Sequence, residues 1–191
     1  MDTMVNRVIR AAMLDVEFYN KAEMDTSLTQ EALMVVILVS VAGSIGSFIG
    51  GVISGSLGSA VLALIVALVM GVVNYYIWAY VTFFVGTRLF NATADPGELL
   101  RVLGYASGPR ALSILSFIPC LGWLIALAGG IWSLIAGFIG VREALDLDTT
   151  KTLITVVIGW VIILVITAVI TAVLGIGAAG LGAATSLLGG R

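Results

Sequence analysis

From Ala32 to Thr87 the chain reads ALMVVILVSVAGSIGSFIGGVISGSLGSAVLALIVALVMGVVNYYIWAYVTFFVGT. This block contains no Asp, Glu, Lys or Arg, and neither do the two later blocks, Ala111 to Val141 and Thr152 to Gly190. An uncharged apolar run of about 18 residues or more is a candidate membrane-spanning helix, because about 20 residues cross a hydrocarbon core of roughly 30 Å. The three blocks therefore predict an integral membrane protein.

The composition of the 191-residue chain leads to the same conclusion. Hydrophobic residues make up 60% of it and charged residues only 10%, well below the proportion usual in soluble domains. The formal net charge is -2, and the nine cations form no cluster. Binding to nucleic acid needs clustered Lys and Arg, so we expect no nucleic-acid partner. The lipid bilayer is the partner that the composition requires.

The lengths of the blocks, and the cations between them, predict the number of crossings. The first block is long enough for two spans with a turn within Gly50 to Ser59, and the last block holds one span. The middle block is ambiguous, because a single long helix would contain Pro119, which removes a backbone donor. If that block crosses twice, eight of the nine cations fall on the side of the N-terminus, as the positive-inside rule favours; a single crossing would place Arg142 and Lys151 outside.

We therefore predict an all-α integral membrane protein, a bundle of five transmembrane helices with its N-terminus in the cytoplasm and its C-terminus outside. The membrane domain is residues 32–178, and the predicted spans are about 32–49, 60–85, 104–118, 121–141 and 152–174. A small-residue tail, residues 179–191, follows the last span and is expected outside.

The N-terminal region, residues 1–31, precedes the first span. The stretch from Met1 to Tyr19 predicts an amphipathic cytoplasmic helix, with apolar positions at the 3,4 spacing of one helix face. These positions are Met1, Met4, Val5, Val8, Ile9, Ala12 and Val16. Such a helix either lies on the membrane surface or packs across the protein's own cytoplasmic loops, and both alternatives keep it inside.

Several classes of chemistry lack their residues in this sequence. The chain has no histidine, and its single cysteine, Cys120, cannot form an internal disulfide or a multi-cysteine metal site. No carboxylate falls inside a predicted span, and the glycine-rich stretches lack the lysine of a phosphate-binding loop. We therefore predict no catalytic residues, no metal site and no cofactor, and a protein that is not an enzyme.

Small residues recur at intervals of four in the apolar blocks. At that spacing they form a flat stripe on one helix face, which lets two helices approach closely. The positions to which we assign helix packing are Gly46, Gly50, Gly129, Ser133 and Gly137. Packing inside the bundle is the first interpretation, and an interface with another protein or a second copy of the chain is the alternative.

Asn74 is the clearest polar residue deep within a predicted span. An aromatic run follows it from Tyr75 to Phe84, which suits an interfacial belt beside Arg88. An interhelical hydrogen bond is the first interpretation of Asn74. Contact with a ligand or an ion is the alternative.

A series of short motifs in the second half of the chain resembles a known family. In order they are Gly104-Tyr105-Ala106-Ser107-Gly108-Pro109, Ile118-Pro119 with Gly122, Ile131-Trp132-Ser133-Leu134, Gly140-Val141-Arg142 and Thr149-Thr150-Lys151-Thr152. This order resembles the Ypt-interacting protein (Yip) family of five-span membrane proteins. The family-like positions are Gly104, Tyr105, Pro109, Pro119, Trp132 and Gly140.

The resemblance implies a non-enzymatic role. Eukaryotic members act in vesicle traffic and associate with prenylated Rab-type GTPases through their cytoplasmic region. This chain departs from them, because it lacks an Asp-Leu-Tyr-Gly-Pro motif and its N-terminal region is short. That departure argues against GTPase binding and favours a prokaryotic-type member in the plasma membrane.

Three hypotheses for function remain. The first is a membrane scaffold or adaptor for membrane organisation or trafficking, whose cytoplasmic face meets other membrane proteins, anionic lipid or a second copy of the chain. The second is an accessory subunit of a respiratory or photosynthetic complex. The third is a small-solute or ion transporter or channel, with its site around Asn74 and opened backbone near Pro109 and Pro119.

Overall fold

The computed structural model describes residues 3–53, 57–118 and 120–189, and within these ranges it contains helices and no strand. The α-helices are α1 (Met4–Ala12), α2 (Val16–Met24), α3 (Thr29–Ile53), α4 (Leu57–Phe90), α5 (Pro96–Ala106), α6 (Gly122–Ala144) and α7 (Thr149–Gly189). Two 3₁₀ helices occur in the same ranges, a short one at Thr26–Leu28 and a long one at Gly108–Phe117.

Four segments of the described chain are long and apolar enough to cross a membrane. They are Thr26–Gly50, Leu64–Phe90, Gly122–Ala144 and Thr149–Ile166, which belong to α3, α4, α6 and α7. The prediction of an all-helical protein with several spanning helices is thus supported, whereas the count of five spanning helices is not confirmed. The break between α3 and α4 falls within the turn predicted at Gly50 to Ser59, and residues 54–56 lie outside the described chain.

The segment predicted as the third span, 104–118, is not one continuous α-helix. It is divided between the end of α5 and the long 3₁₀ helix, and this passage runs antiparallel to α6. Two contacts show the direction: Gly122, at the start of α6, lies against Ser116 near the end of the 3₁₀ helix, and Gly129, further along α6, lies against Pro109 near its start. A Cβ on Gly129 would lie 2.7 Å from the Pro109 carbonyl oxygen, and a Cβ on Gly122 would meet the Ser116 carbonyl oxygen. The 3₁₀ helix Gly108–Phe117 therefore packs directly against α6.

Local sequence accounts for the 3₁₀ geometry. Pro109 supplies no N-H, and Ser107 turns its hydroxyl back onto the Gly104 carbonyl at 2.6 Å, so the α-helical pattern ends there. A 3₁₀ helix rises about 2.0 Å per residue, so the segment covers about 20 Å where an α-helix of equal length would cover about 15 Å. The narrower helix suits a short segment held between two neighbours. Pro119, the predicted turn residue, lies outside the described residues.

The N-terminal region also differs from the single helix predicted from Met1 to Tyr19. It contains two helices, and the break between them is at Leu14, whose φ is 64°. Asp15 starts α2, because its carboxylate accepts from the Phe18 N-H at 3.2 Å. The two short helices fold against the bundle instead of forming one rod.

The best-packed part of the protein is its charged end, by which we mean α1, α2, α5, the start of α3 and α7, and the end of α4 and α6. Its largest buried side chains include Phe18, Tyr19, Leu99 and Tyr105. The rings of Phe18 and Tyr105 meet edge to face, with their centroids 5.0 Å apart. The opposite half of the bundle exposes apolar side chains along α3, α4, α6 and α7, as expected of surfaces that face lipid.

Candidate functional sites at the charged end and in a crevice of the bundle

Arg101 on α5 holds the N-terminal region against the bundle. Its side chain is buried, and its Nε donates to the carbonyl oxygens of Ala22 at 3.0 Å and Glu23 at 3.1 Å. A terminal nitrogen also donates to the Glu23 carbonyl, and the other lies 3.4 Å from the Thr29 hydroxyl. These carbonyls belong to the last turn of α2, where a cation is favourable. Arg101 therefore joins three elements at one point.

A second connection at the charged end centres on Glu31, in the first turn of α3. Its two carboxylate oxygens accept from Arg7 of α1 at 2.5 Å and from the Tyr105 hydroxyl at 2.7 Å. Tyr105 is fully buried. Because Glu31 forms an ion pair with Arg7 and also accepts a hydrogen bond from this buried phenol, it fixes α1, α3 and α5 relative to one another.

Trp132 joins α1 to α6, since its indole N-H donates to the Ala12 carbonyl at 2.6 Å. Around this bond lies a shallow apolar groove formed by Ala12, Met13, Leu14, Ala128, Ile131, Trp132 and Ile135. α1 also exposes Val5 and Ile9, and the exposed Met13, which follows the end of α1, continues their interval of four. Thus α1 packs on the bundle and also leaves an apolar stripe exposed.

Glu23 is the least favourably placed carboxylate at the charged end. Burial, followed by the nearby carboxylates of Asp146, Glu98 and Glu143, raises its pKa to about 7, and Arg101 opposes that shift. One of its carboxylate oxygens is buried without a hydrogen-bond partner. Met24, the next residue, is 73% exposed. The outer surface here combines an exposed apolar side chain with several carboxylates.

The second candidate site is a crevice of about 790 Å³ between α3, α4, the long 3₁₀ helix, α6 and α7, which we call the serine crevice. Its polar lining includes Arg110, Asn74 and seven serines, namely Ser40, Ser44, Ser47, Ser107, Ser113, Ser116 and Ser133. Among the described residues that line it, none is Asp or Glu. A volume of this size is typical of small-molecule sites.

The crevice lies about halfway along α3. At 1.5 Å per residue, Ser40 lies about 16 Å along the helix from Thr29 and about 20 Å from Ile53. Gly71 of α4 lies beside it, where a Cβ would meet the Ser40 hydroxyl. Glu31, the last charged residue of α3, is more than two helical turns away, so the crevice lies at the depth of the apolar part of the bundle.

Four of the polar lining residues form a column on the long 3₁₀ helix. Ser107, which caps this helix, Arg110, Ser113 and Ser116 recur at every third position, and a 3₁₀ helix has about 3.0 residues per turn. Side chains three positions apart therefore point in one direction, which an α-helix would not achieve. Gly43 of α3 makes room for the column, since a Cβ there would lie 2.9 Å from the Ser113 hydroxyl.

Arg110 has no acidic residue beside it among the described residues. Within the described chain its guanidinium makes no hydrogen bond or ion pair to another residue. Four serine hydroxyls of the crevice, those of Ser44, Ser47, Ser107 and Ser133, donate to backbone carbonyls, whereas Ser113 and Ser116 have no such bond to any described residue. The column thus presents one cation and two hydroxyl donors to the crevice.

Asn74, the polar residue singled out in the sequence, lines the same crevice. Its side chain is exposed, and it makes no hydrogen bond to another residue in the described ranges. The structure thus brings Asn74 together with Arg110 and the serines. Of the two prolines named beside it in the transporter hypothesis, Pro109 is buried at the start of the 3₁₀ helix.

The positions to which we assigned helix packing lie in different surroundings. A Cβ on Gly46 would lie 2.7 Å from the Ser113 and Ile114 carbonyl oxygens, so α3 and the 3₁₀ helix touch there. Gly129 makes the equivalent approach from α6, and a Cβ on Gly137 would lie 3.5 Å from the Leu103 side chain. Ser133 donates to the Ala106 carbonyl at 2.8 Å, whereas a Cβ on Gly50 would meet nothing within 4 Å.

Four of the family-like positions, Gly104, Tyr105, Trp132 and Gly140, lie where α5 and α6 meet the N-terminal region and the start of α3. Gly104 faces the start of α3, where a Cβ would lie 2.8 Å from the Cβ of Ala32. Gly140 faces Tyr19, whose ring would be 3.1 Å away. Tyr105 and Trp132 make the hydrogen bonds to Glu31 and Ala12 described above.

Two functional candidates were missed in the sequence. Arg101 gives no signal of burial, because an arginine before a spanning segment is ordinarily exposed. The column around Arg110 does leave a signal, since serine, arginine, serine and serine recur at every third position from 107 to 116. That period matches a 3₁₀ helix, which is rare at this length and is therefore seldom considered.

A family comparison now identifies the chain more closely. The chain matches the model of the Yip1 domain over residues 15–190. It belongs to the Yip family. The matched range begins at Asp15 and includes Arg101, the column around Arg110 and all four candidate spanning helices, so this is a multi-pass integral membrane protein of the Yip family. No curated protein and no solved structure matches the chain.

Proposed function

We propose that this Yip-family protein is a non-enzymatic membrane scaffold or adaptor that presents its charged end to a protein partner. The charged end faces the cytoplasm of a prokaryotic cell in this proposal, and the C-terminus lies outside the plasma membrane. The observation that carries the proposal is the anchoring of the N-terminal region through Arg101. A surface held in one conformation binds a partner without the cost of ordering it first.

The exposed groups at this end favour a partner with a basic contact surface. Met24 offers an apolar contact, and the carboxylates of Glu98 and Asp146 lie close enough to Glu23 to help raise its pKa by repulsion. A basic group from a partner would relieve that repulsion. Rim charges of this kind mainly raise the association rate and make it sensitive to salt.

A photo-crosslinking amino acid at Met24 tests the proposal in membranes of the source cell. Deletion of the N-terminal region would be a poor test, because Phe18 and Tyr19 are part of the buried core. We expect a protein adduct from position 24 at low salt, and less of it at high salt. The matched control is the same amino acid at Val161 of α7, which is 50% exposed on the apolar surface.

Each outcome of the crosslinking distinguishes the alternatives. An adduct from position 24 that is missing from position 161 supports an adaptor, and an adduct of twice the chain's mass identifies the partner as a second copy. If position 24 gives no protein adduct, or only the adducts of position 161, the charged end is not a docking surface.

A further inference from the structure

We propose that the serine crevice is a binding site for a phosphate-bearing anion, and that the anion is the headgroup of a membrane lipid. Arg110 supplies the charge, and Ser113 and Ser116 supply hydroxyl donors from the same face of the 3₁₀ helix. This site is distinct from the surface at Met24, so neither proposal depends on the other.

The first argument is the unbalanced charge of Arg110. A cation at apolar depth is costly and is normally paired with an acid or with backbone carbonyls. Arg110 has no such partner among the described residues, and no described residue lining the crevice is acidic. An anion that enters the crevice would supply the missing counter-charge, whereas a metal cation would be repelled.

The second argument is the geometry of the donors. Phosphate has several acceptor oxygens, and arginine with nearby hydroxyls matches them with short, charge-assisted hydrogen bonds. The side chains of Arg110, Ser113 and Ser116 lie on consecutive turns of one 3₁₀ face, about 6 Å apart along its axis. Ser40 and Asn74 face the same space from α3 and α4.

The third argument favours a lipid as the source of the phosphate. One side of the crevice is formed by Leu127, Ile131 and Leu134 of α6 and by Trp160 of α7, all of them large apolar side chains on the surface that faces lipid. An acyl chain can lie against these residues while the headgroup reaches Arg110. A soluble phosphate ester gains nothing from such a wall.

Native mass spectrometry of the delipidated protein in detergent tests the site. The probes are phosphatidylglycerol and phosphatidylcholine with the same acyl chains, and glycerol 3-phosphate as the soluble competitor. We expect the wild type to prefer phosphatidylglycerol, and Arg110→Gln to bind it about tenfold more weakly, the loss expected for a hydrogen bond to a charged group. Arg110→Lys should restore part of the binding.

A second pair of variants leaves Arg110 in place and fills the space. Gly130 lines the crevice, and a Cβ there would meet nothing within 4 Å, so Gly130→Leu places a side chain into open volume. Gly50→Leu is the matched control, because Gly50 has equal room and does not line the crevice. We expect only Gly130→Leu to weaken lipid binding. Arg88→Gln controls for the loss of one positive charge elsewhere.

The possible results separate the parts of the proposal. Equal binding of phosphatidylglycerol to wild type, Arg110→Gln and Gly130→Leu overturns the site altogether. Full displacement of the lipid by glycerol 3-phosphate at equal concentration overturns the lipid as the source of the phosphate. Weaker binding in both crevice variants, with Gly50→Leu and Arg88→Gln unchanged, supports the proposal as stated.

Discussion

Replacement of Arg101 by Met should release the N-terminal region from the bundle. The arginine side chain is only 4% exposed, and its donors satisfy the Ala22 and Glu23 carbonyls as well as contacting Thr29. Hydrogen bonds from a charged group contribute about 1.5 to 3 kcal/mol each, and these share one side chain, so they do not add fully. We expect a local loss of about 3 kcal/mol.

Hydrogen exchange of the protein in lipid nanodiscs measures this loss directly. A local free-energy change of about 3 kcal/mol corresponds to roughly a hundredfold increase in the open population, so the amides of α2 should exchange about a hundredfold faster. Among the described residues Arg101 makes no hydrogen bond to the middle of α6, so the amides there should keep their protection from exchange.

The matched control is Arg88→Met. Arg88 is exposed at the end of α4, where its guanidinium lies 5.6 Å from the centre of the Phe84 ring, and its removal should leave α2 unaffected. If α2 keeps its protection in the Arg101 variant, or loses it equally in both variants, one buried guanidinium does not hold the charged end together.

Three further predictions concern stability and topology. The pKa of Glu23 is about 7 in the folded protein and ordinarily about 4.5, so the folded state binds this proton more tightly than the unfolded state. The free energy of unfolding should therefore fall as pH rises from 4.5 to 7. Glu23→Gln should reduce that dependence on pH, as measured by denaturant titrations. Gly46→Val should lower the free energy of unfolding by about 1 to 3 kcal/mol, because the new side chain would contact two carbonyl oxygens. The loss for Gly50→Val in the same titrations should be well below that. Cys120 is exposed, so a membrane-impermeant maleimide should label it from outside intact cells; labelling only after the cytoplasmic side is opened would contradict the proposed orientation.

The spanning helices could be predicted because their cause is local. A charge-free apolar run specifies a helix in lipid whatever its neighbours are, and α3, α4, α6 and α7 all come from such runs. The start of α7 also has a local cause, since the Asp148 carboxylate caps it by accepting from the Lys151 N-H at 2.9 Å.

The remaining features depend on contacts between distant parts of the chain. Arg101 is buried only because α2 brings its final carbonyls to it from a distant part of the sequence. The left-handed backbone at Leu14 breaks the predicted N-terminal helix so that both halves fold back onto α5 and α6, and no glycine marks that position. The 3₁₀ helix needs the close approach of Gly46 and Gly129 from either side. Propensity and hydrophobic periodicity describe one segment at a time, so they miss all three.

The form of the 3₁₀ passage also constrains how the protein is made. During synthesis the segment 108–117 emerges before α6, and by itself it is short and carries an arginine and two serines, so it is too polar to enter the bilayer as a helix. We therefore predict that this segment enters the membrane only together with Gly122–Ala144, as a pair. Nascent chains stalled before residue 122 should therefore leave this segment accessible to water, while chains stalled after residue 144 should protect it.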